Sequence, residues 1–133
     1  MARILIVDDN LSVLQALAYF LELSGHQVEL AGNGSKALCR ALQPGIDLIL
    51  LDIEMPDVSG IAVCRAIRSN PALRELPVVM MTGRATAEVV TSAMGAGASL
   101  VLAKPFDLAD LSAVIRRFLP AAVPAEAPAL AAS

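Results

Sequence analysis

A chain of 133 residues with 56% apolar residues and a formal charge of −3 has the size of one domain and ample material for a core. Those totals exclude disorder over most of the length. No apolar run approaches the roughly eighteen residues of a membrane span. With 3% aromatic residues and no basic stripe, the chain offers nucleic acid neither a charged track nor a stacking platform.

The first strand is Ile4-Leu5-Ile6-Val7, and Asp8-Asp9-Asn10 follows at once. Met1-Ala2-Arg3 leads directly into this strand, and the apolar run is too short for a signal-peptide core. A cytoplasmic location is therefore expected. A helix runs from about Leu11 to Ser24, with Leu14, Leu17, Ala18 and Leu21 on one face and Gly25 suited to its C-terminal cap. Gln27 to Ala31 alternates polar and apolar, which predicts an edge strand with one face to water. Asn33-Gly34-Ser35 is a turn and cap for a short helix to Leu42. Pro44-Gly45 breaks it.

The next stretch, Asp47 to Pro56, carries the third strand. Its apolar run fits a strand buried on both faces of a parallel sheet, ending near Asp52. Pro56 cannot continue the ladder. After the loop Asp57-Val58-Ser59-Gly60, a helix ends near Ser69, and Asn70-Pro71 closes the segment. A fourth strand spans Leu76 to Met81 and ends in Thr82-Gly83. A helix from about Ala85 to Met94, rich in Ala and Thr, shows weak caps. Gly95-Ala96-Gly97 turns into a fifth strand, Leu100 to Ala103, which ends in Lys104-Pro105. Asp107 caps the last helix, with Asp110 as its capping-box partner. The expected buried stripe of that helix is Leu108, Leu111, Ile115 and Phe118. From Pro120 on, both periodicities are lost, so residues 120–133 read as a mobile Pro/Ala-rich tail or linker after a domain of residues 1–119. Cys39 and Cys64 fall in helical patterns without metal spacing and are expected to be buried thiols.

Five strands alternating with five helices through short loops predict an α/β, doubly wound parallel sheet with right-handed crossovers. Chemistry-bearing residues then end strands one, three, four and five: Asp8 and Asp9, Asp52, Thr82, and Lys104. In a parallel sheet those ends lie side by side, around one crevice. Three carboxylates and one ammonium leave it doubly negative. Two carboxylates about 4 Å apart repel by roughly 4 kcal/mol at an effective dielectric of about 20. Either their pKa values rise or a cation binds. An oxygen-only set suits Mg²⁺, and no Cys or His ends a strand to favour a softer metal. With the charge balanced, a phosphoryl group could be shared among metal, ammonium and hydroxyl, and a carboxylate could serve as nucleophile.

Each residue alone has a simpler explanation. Asp8-Asp9-Asn10 could cap a helix, Asp52 could end a strand, Thr82 could sit in a turn and Lys104 could be solvated. It is the agreement of four strand ends that argues for a site.

These residues resemble the receiver domain of bacterial two-component response regulators, over about Arg3 to Leu119. The signatures are Ile6-Val7-Asp8-Asp9-Asn10, Leu51-Asp52-Ile53-Glu54-Met55-Pro56 with Gly60, Thr82-Gly83, Gly95-Ala96-Gly97-Ala98 and Lys104-Pro105-Phe106. The resemblance implies a flavodoxin-like fold with strand order 2-1-3-4-5, the order that puts the alternating second strand at an edge. It implies that Asp52 takes a phosphoryl group from a histidine kinase or phosphotransfer protein. It also implies that Asp9, Asp8, Asp52 and the carbonyl of Glu54 hold Mg²⁺, that Lys104 pairs with the phosphoryl group, and that Thr82 hydrogen-bonds it. The product is a switch toward a downstream protein or output domain, not turnover of an external substrate.

One position departs from that pattern. Val101 stands where the family carries an aromatic switch residue. Coupling is then expected through backbone shifts of the helix after Thr82, or through another surface. Glu54 and Arg84, each two residues beyond a site residue, are expected to overhang the crevice and set the lifetime of the phosphorylated state by controlling water access. His26, past a helix end, reads as a loop residue. Strand five and the last two helices permit a homodimer.

Three other functions fit these residues less well. A flavodoxin-type electron carrier needs a hydroxyl- and glycine-rich phosphate loop after strand one, where Asp8-Asp9 has the wrong sign. Aspartate-nucleophile phosphatases share a first-strand Asp-x-Asp, which Asp8-Asp9-Asn10 lacks. A degenerate receiver that only binds partners would not need the acidic residues, Thr82 and Lys104 all intact.

Overall fold

The structure, a computed structural model, describes residues 2–120. The stretch expected to be a tail therefore lies outside the described residues, apart from Pro120. In chain order the elements are β1 (Arg3–Val7), α1 (Leu11–Leu23), β2 (Gln27–Ala31), α2 (Gly34–Ala41), β3 (Leu48–Asp52), α3 (Gly60–Arg68), β4 (Val78–Thr82), α4 (Ala87–Gly95), β5 (Leu100–Ala103) and α5 (Leu108–Phe118). The strands form one parallel sheet in the order β2-β1-β3-β4-β5. Every residue of β3 and β4 is buried. Their runs Leu48-Ile49-Leu50-Leu51 and Val78-Val79-Met80-Met81 are apolar on both faces because helices cover both.

Alternate residues feed two cores. Leu5, Val7, Ile49, Leu51, Val78 and Met80 meet Ala37, Ala41, Val63, Cys64, Ile67 and Ala93 from α2, α3 and α4. Ile4, Ile6, Leu48, Leu50, Val79 and Met81 meet Leu14, Leu17, Leu21, Leu111, Val114 and Ile115 from α1 and α5. The sheet is thus the middle of three layers, and its strand ends remain open.

Local chemistry sets the helix boundaries. Asn10 caps α1 by accepting from the amides of Ser12 and Val13, and Gly25, with φ of 93°, lets the chain leave the helix. Asp107 and Asp110 form the expected capping box on α5. Thr86 caps α4 by accepting from Val89 N–H, so that helix is better capped than its sequence suggested, and it begins at Ala87 rather than Ala85. Pro71–Leu73 form one 3-10 turn, capped by Asn70, that the sequence pattern did not reveal. At the end of the sheet where β4 begins, the Arg68 guanidinium donates to the carbonyls of Gly97, Leu73 and Leu76 at 2.7–2.8 Å. One side chain there ties α3 to the two neighbouring connections.

Several expectations need correction. Leu108 is 52% exposed, and Val114 takes the buried place beside Leu111 and Ile115, because the stripe is centred one turn later. Cys39 is exposed on α2, whereas Cys64 is buried as expected. His26 lies in the loop between α1 and β2, as expected, but it is buried there: its N–H donates to the Leu21 carbonyl, and its Nδ1 has no hydrogen-bond partner. β2 is the edge strand, but its polar side is not simply wet: Glu29 is half-buried and pairs with Arg40 of α2, while Leu30 is 46% exposed.

Gly60 opens α3 directly beneath the end of β3. A Cβ there would stand 2.2 Å from the Asp52 carbonyl oxygen, with the Ile53 backbone behind it, so only glycine fits. Gly60→Ala should lower unfolding free energy by about 2–4 kcal/mol in chemical denaturation. A loss below about 0.5 kcal/mol would show that the loop can yield.

Candidate functional site

The parallel register carries five side chains to one edge of the sheet. Val7 pairs with Leu51 in the ladder, so Asp8 emerges beside Asp52. Asp52 pairs with Met81, and Thr82 with Ala103, which brings Thr82 and Lys104 to the neighbouring strand ends. The backbone continues the arrangement past the strands, since Lys104 N–H donates to the Thr82 carbonyl at 2.7 Å.

Asp8 is 1% exposed and Asp52 is 3% exposed, so both carboxylates have lost almost all contact with water. One ammonium serves both. Lys104 Nζ lies 2.8 Å from Asp8 Oδ2 and 3.2 Å from Asp52 Oδ1. The other Asp8 oxygen accepts the Asn10 N–H at 2.9 Å. Asp9 is exposed on the crevice rim. Carboxylate oxygens of Asp8, Asp9 and Asp52 all come within 4.8 Å of one another. This all-oxygen, net-negative set fits a small hard cation that keeps part of its water shell.

Burial pushes the Asp52 carboxyl up from 3.8 to about 6; Lys104 opposes the rise, and Asp8 and Glu54 add to it. For Lys104, burial works against the charged form, but Asp8 and Asp52 outweigh it and hold the ammonium above its usual value. The crevice is therefore a charge cluster in which, among the described residues, Lys104 is the one cation paired with Asp52.

Thr82 is fully buried. Its hydroxyl donates to Glu54 Oε2 at 2.8 Å and accepts the Arg84 N–H at 2.9 Å. The other Glu54 oxygen accepts the Gly83 N–H at 3.2 Å. Glu54 and Arg84 are both exposed, and the Glu54 carboxylate and the Arg84 backbone N–H each bond the Thr82 hydroxyl. Among the described residues no ion pair joins them. The Glu54 side chain is thus committed to the loop after β4. Val101 is half-buried and packs against the core on the α2–α4 side, so no aromatic ring stands behind Thr82 from that position. The structure brings Asp8, Asp9, Asp52 and Lys104 together at the strand ends, with Thr82 at the end of the neighbouring strand; the sequence does not announce what Thr82 bonds. The Glu54–Thr82 bond, missed from sequence, spans 28 residues and has no local signature.

Comparison with known proteins decides the family. The model for the response regulator receiver domain matches residues 4–116. The chain belongs to the receiver domain family of two-component signalling. It is 39% identical over 117 residues to the signal transduction histidine-protein kinase BarA of Shigella flexneri, covering 88% of this chain and 13% of that kinase. The chemotaxis protein CheY4 of Vibrio cholerae superposes with a TM-score of 0.84 at 32% identity, covering 90% of this chain and 99% of CheY4. The receiver domain of the sensor histidine kinase PA1611 from Pseudomonas aeruginosa PAO1 superposes with a TM-score of 0.83 at 29% identity, covering 90% and 98% of the two chains. That structure holds a magnesium ion in its active-site cleft. The order β2-β1-β3-β4-β5 and the acidic cluster are those of a receiver, and phosphorelay signalling is the function that goes with them.

The raised pKa of Asp52 has a sign that can be checked. A folded value near 6 against an ordinary 3.8 means the folded state favours the neutral acid. That preference is fully present below about pH 4 and is lost as pH rises through 6, beyond which folding carries the cost of a buried charge. In the presence of a chelator, Asp52→Asn should be more stable than the parent at pH 7.5 by about 1–3 kcal/mol. The advantage should shrink to about a third of that at pH 4.5 and approach zero below about pH 3.5. An equal difference at both pH values would assign the effect to packing.

Proposed function

We propose that residues 1–119 form a receiver whose Asp52 carboxylate is phosphorylated by a phosphohistidine donor, with Mg²⁺ as cofactor. The observation that carries this reading is the meeting of Asp8, Asp9, Asp52 and Lys104 at the open strand ends. Asp8, Asp9, Asp52 and the Glu54 carbonyl would hold the Mg²⁺, which when bound screens the carboxylates from the incoming phosphoryl charge.

The residues of the chain have separate tasks. An Asp52 oxygen attacks phosphorus; the new O–P bond forms as the P–N bond to the donor imidazole breaks, and the imidazole leaves with the electron pair. Lys104 neutralises the phosphoryl oxygens, moving from the two carboxylates that it now serves. The Thr82 hydroxyl, one strand away, donates to a further phosphoryl oxygen. Arg84 and Glu54 at the rim govern how readily water reaches the acyl phosphate and so set its lifetime. The chain catalyses its own phosphotransfer and dephosphorylation and acts on no external substrate.

A donor needs a place to dock. Beside Lys104, a recess of about 360 Å³ is lined by Val13, Ala16, Leu17, Pro105 and Phe106, and its walls are largely apolar. This supports docking of a histidine-bearing helix against α1 and the β5–α5 loop. The donor is a histidine kinase or phosphotransfer protein, and the phosphorylated receiver acts on a downstream protein or output domain. The work is cytoplasmic. Among the described residues, no helix is long and apolar enough to cross a membrane.

Incubation with Mg²⁺ and acetyl phosphate should add one phosphoryl mass to the intact protein. Asp52→Ala and omission of Mg²⁺ should each abolish the gain, and Lys104→Ala should slow it by about tenfold or more. Phosphorylation that survives Asp52→Ala would overturn the assignment. Arg84→Ala should change the decay rate of the phosphorylated form; an unaltered decay would remove Arg84 from the account.

A further inference from the structure

The Thr82 hydroxyl has one proton to give and two acceptors that need it. It is now given to Glu54 Oε2 at 2.8 Å. Thr82 cannot donate to a phosphoryl oxygen on Asp52 without leaving Glu54. The same carboxylate also holds the Gly83 N–H, and Thr82 Oγ1 holds the Arg84 N–H. Together these bonds staple the loop after β3 to the loop after β4.

We propose that Glu54 is a latch. Its carboxylate holds Thr82 and the start of the β4–α4 loop in the unphosphorylated protein, and formation of the aspartyl phosphate opens it by taking the Thr82 hydroxyl. The inference rests on the reading of Asp52 as phosphoacceptor and adds a regulatory residue to it. The carboxylate and an aspartyl phosphate are both anionic, so the closed latch and the phosphoryl group also repel.

The element released is weakly held. Of the nine residues of α4, only Ala93 is buried, near the far end of the helix. Residues 83–88, which lead into α4 and form its first turn, are all exposed. Near the crevice they are attached through the Thr82, Gly83 and Arg84 bonds, and the next core contact is partly buried Val89. With Val101 in place of an aromatic ring, this loop is the path by which a change at Thr82 reaches a surface. Latch and phosphoryl group are linked reciprocally: whatever stabilises the closed form is lost from affinity for a phosphoryl group.

Beryllium fluoride with Mg²⁺, which binds carboxylates as a phosphoryl stand-in, tests the latch on the folded chain. Glu54→Ala should tighten its binding roughly fivefold and speed amide exchange at Gly83 and Arg84 before any addition. In the parent protein, the analogue itself should speed exchange at the same two amides. Loss of negative charge alone would tighten binding too, so the cycle is completed with Thr82→Val, which removes the hydroxyl and keeps the shape. In that background the gain from Glu54→Ala should fall below about twofold. An equal gain in both backgrounds, or amides indifferent to analogue and substitution alike, overturns the latch while the phosphoacceptor reading stands. A parent protein that binds no analogue with Mg²⁺ removes that reading and the latch with it.

Discussion

Two carboxylates withdrawn from water share one ammonium, and the arrangement of the crevice follows from that shortage. Asp8 and Asp52 are both buried, and Lys104 reaches them from a strand two places away from β3 in the sheet. A buried charge left uncompensated is expensive, so the folded protein raises the Asp52 pKa instead. A lone cation serving two anions leaves the cluster short of positive charge. That shortage makes the crevice receptive to a divalent ion. The same chemistry that destabilises the resting crevice equips it for phosphoryl transfer. Stability and function are opposed here.

The fold was legible because its strands are unusually explicit. Runs such as Leu48 to Leu51 and Val78 to Met81 are apolar on both faces, and only a parallel sheet between helix layers buries both. Once the strands are parallel, their C-terminal ends must adjoin, so Asp8, Asp52, Thr82 and Lys104 could be grouped from sequence. The Asp107–Asp110 capping box was readable for the same reason: its signal spans three residues.

What sequence could not supply depends on side-chain direction over long separations. Lys104 and Asp8 lie 96 residues apart, and nothing near either indicates that they bond. The partner of Glu54 was not foreseen, because an exposed carboxylate can turn to a cation, to water or to a neighbouring loop. Leu108 was misplaced because the first turn of α5 stands in solvent. Periodicity assigns a face, but it does not say where along a helix that face stops being covered.

Arg68 gives the molecule a fixed end. Its guanidinium gathers three carbonyls where β4 begins, and Ala93, Ala96 and Ala98 are packed close by. The far end of α4 is therefore moored, whereas its near end is held by partly buried Val89 and a few bonds at the crevice. A rod clamped at one tip and released at the other tilts rather than slides. The displacement grows along its length, so a change of an ångström at a carboxylate is read out most strongly at the outer surface of the first helical turn.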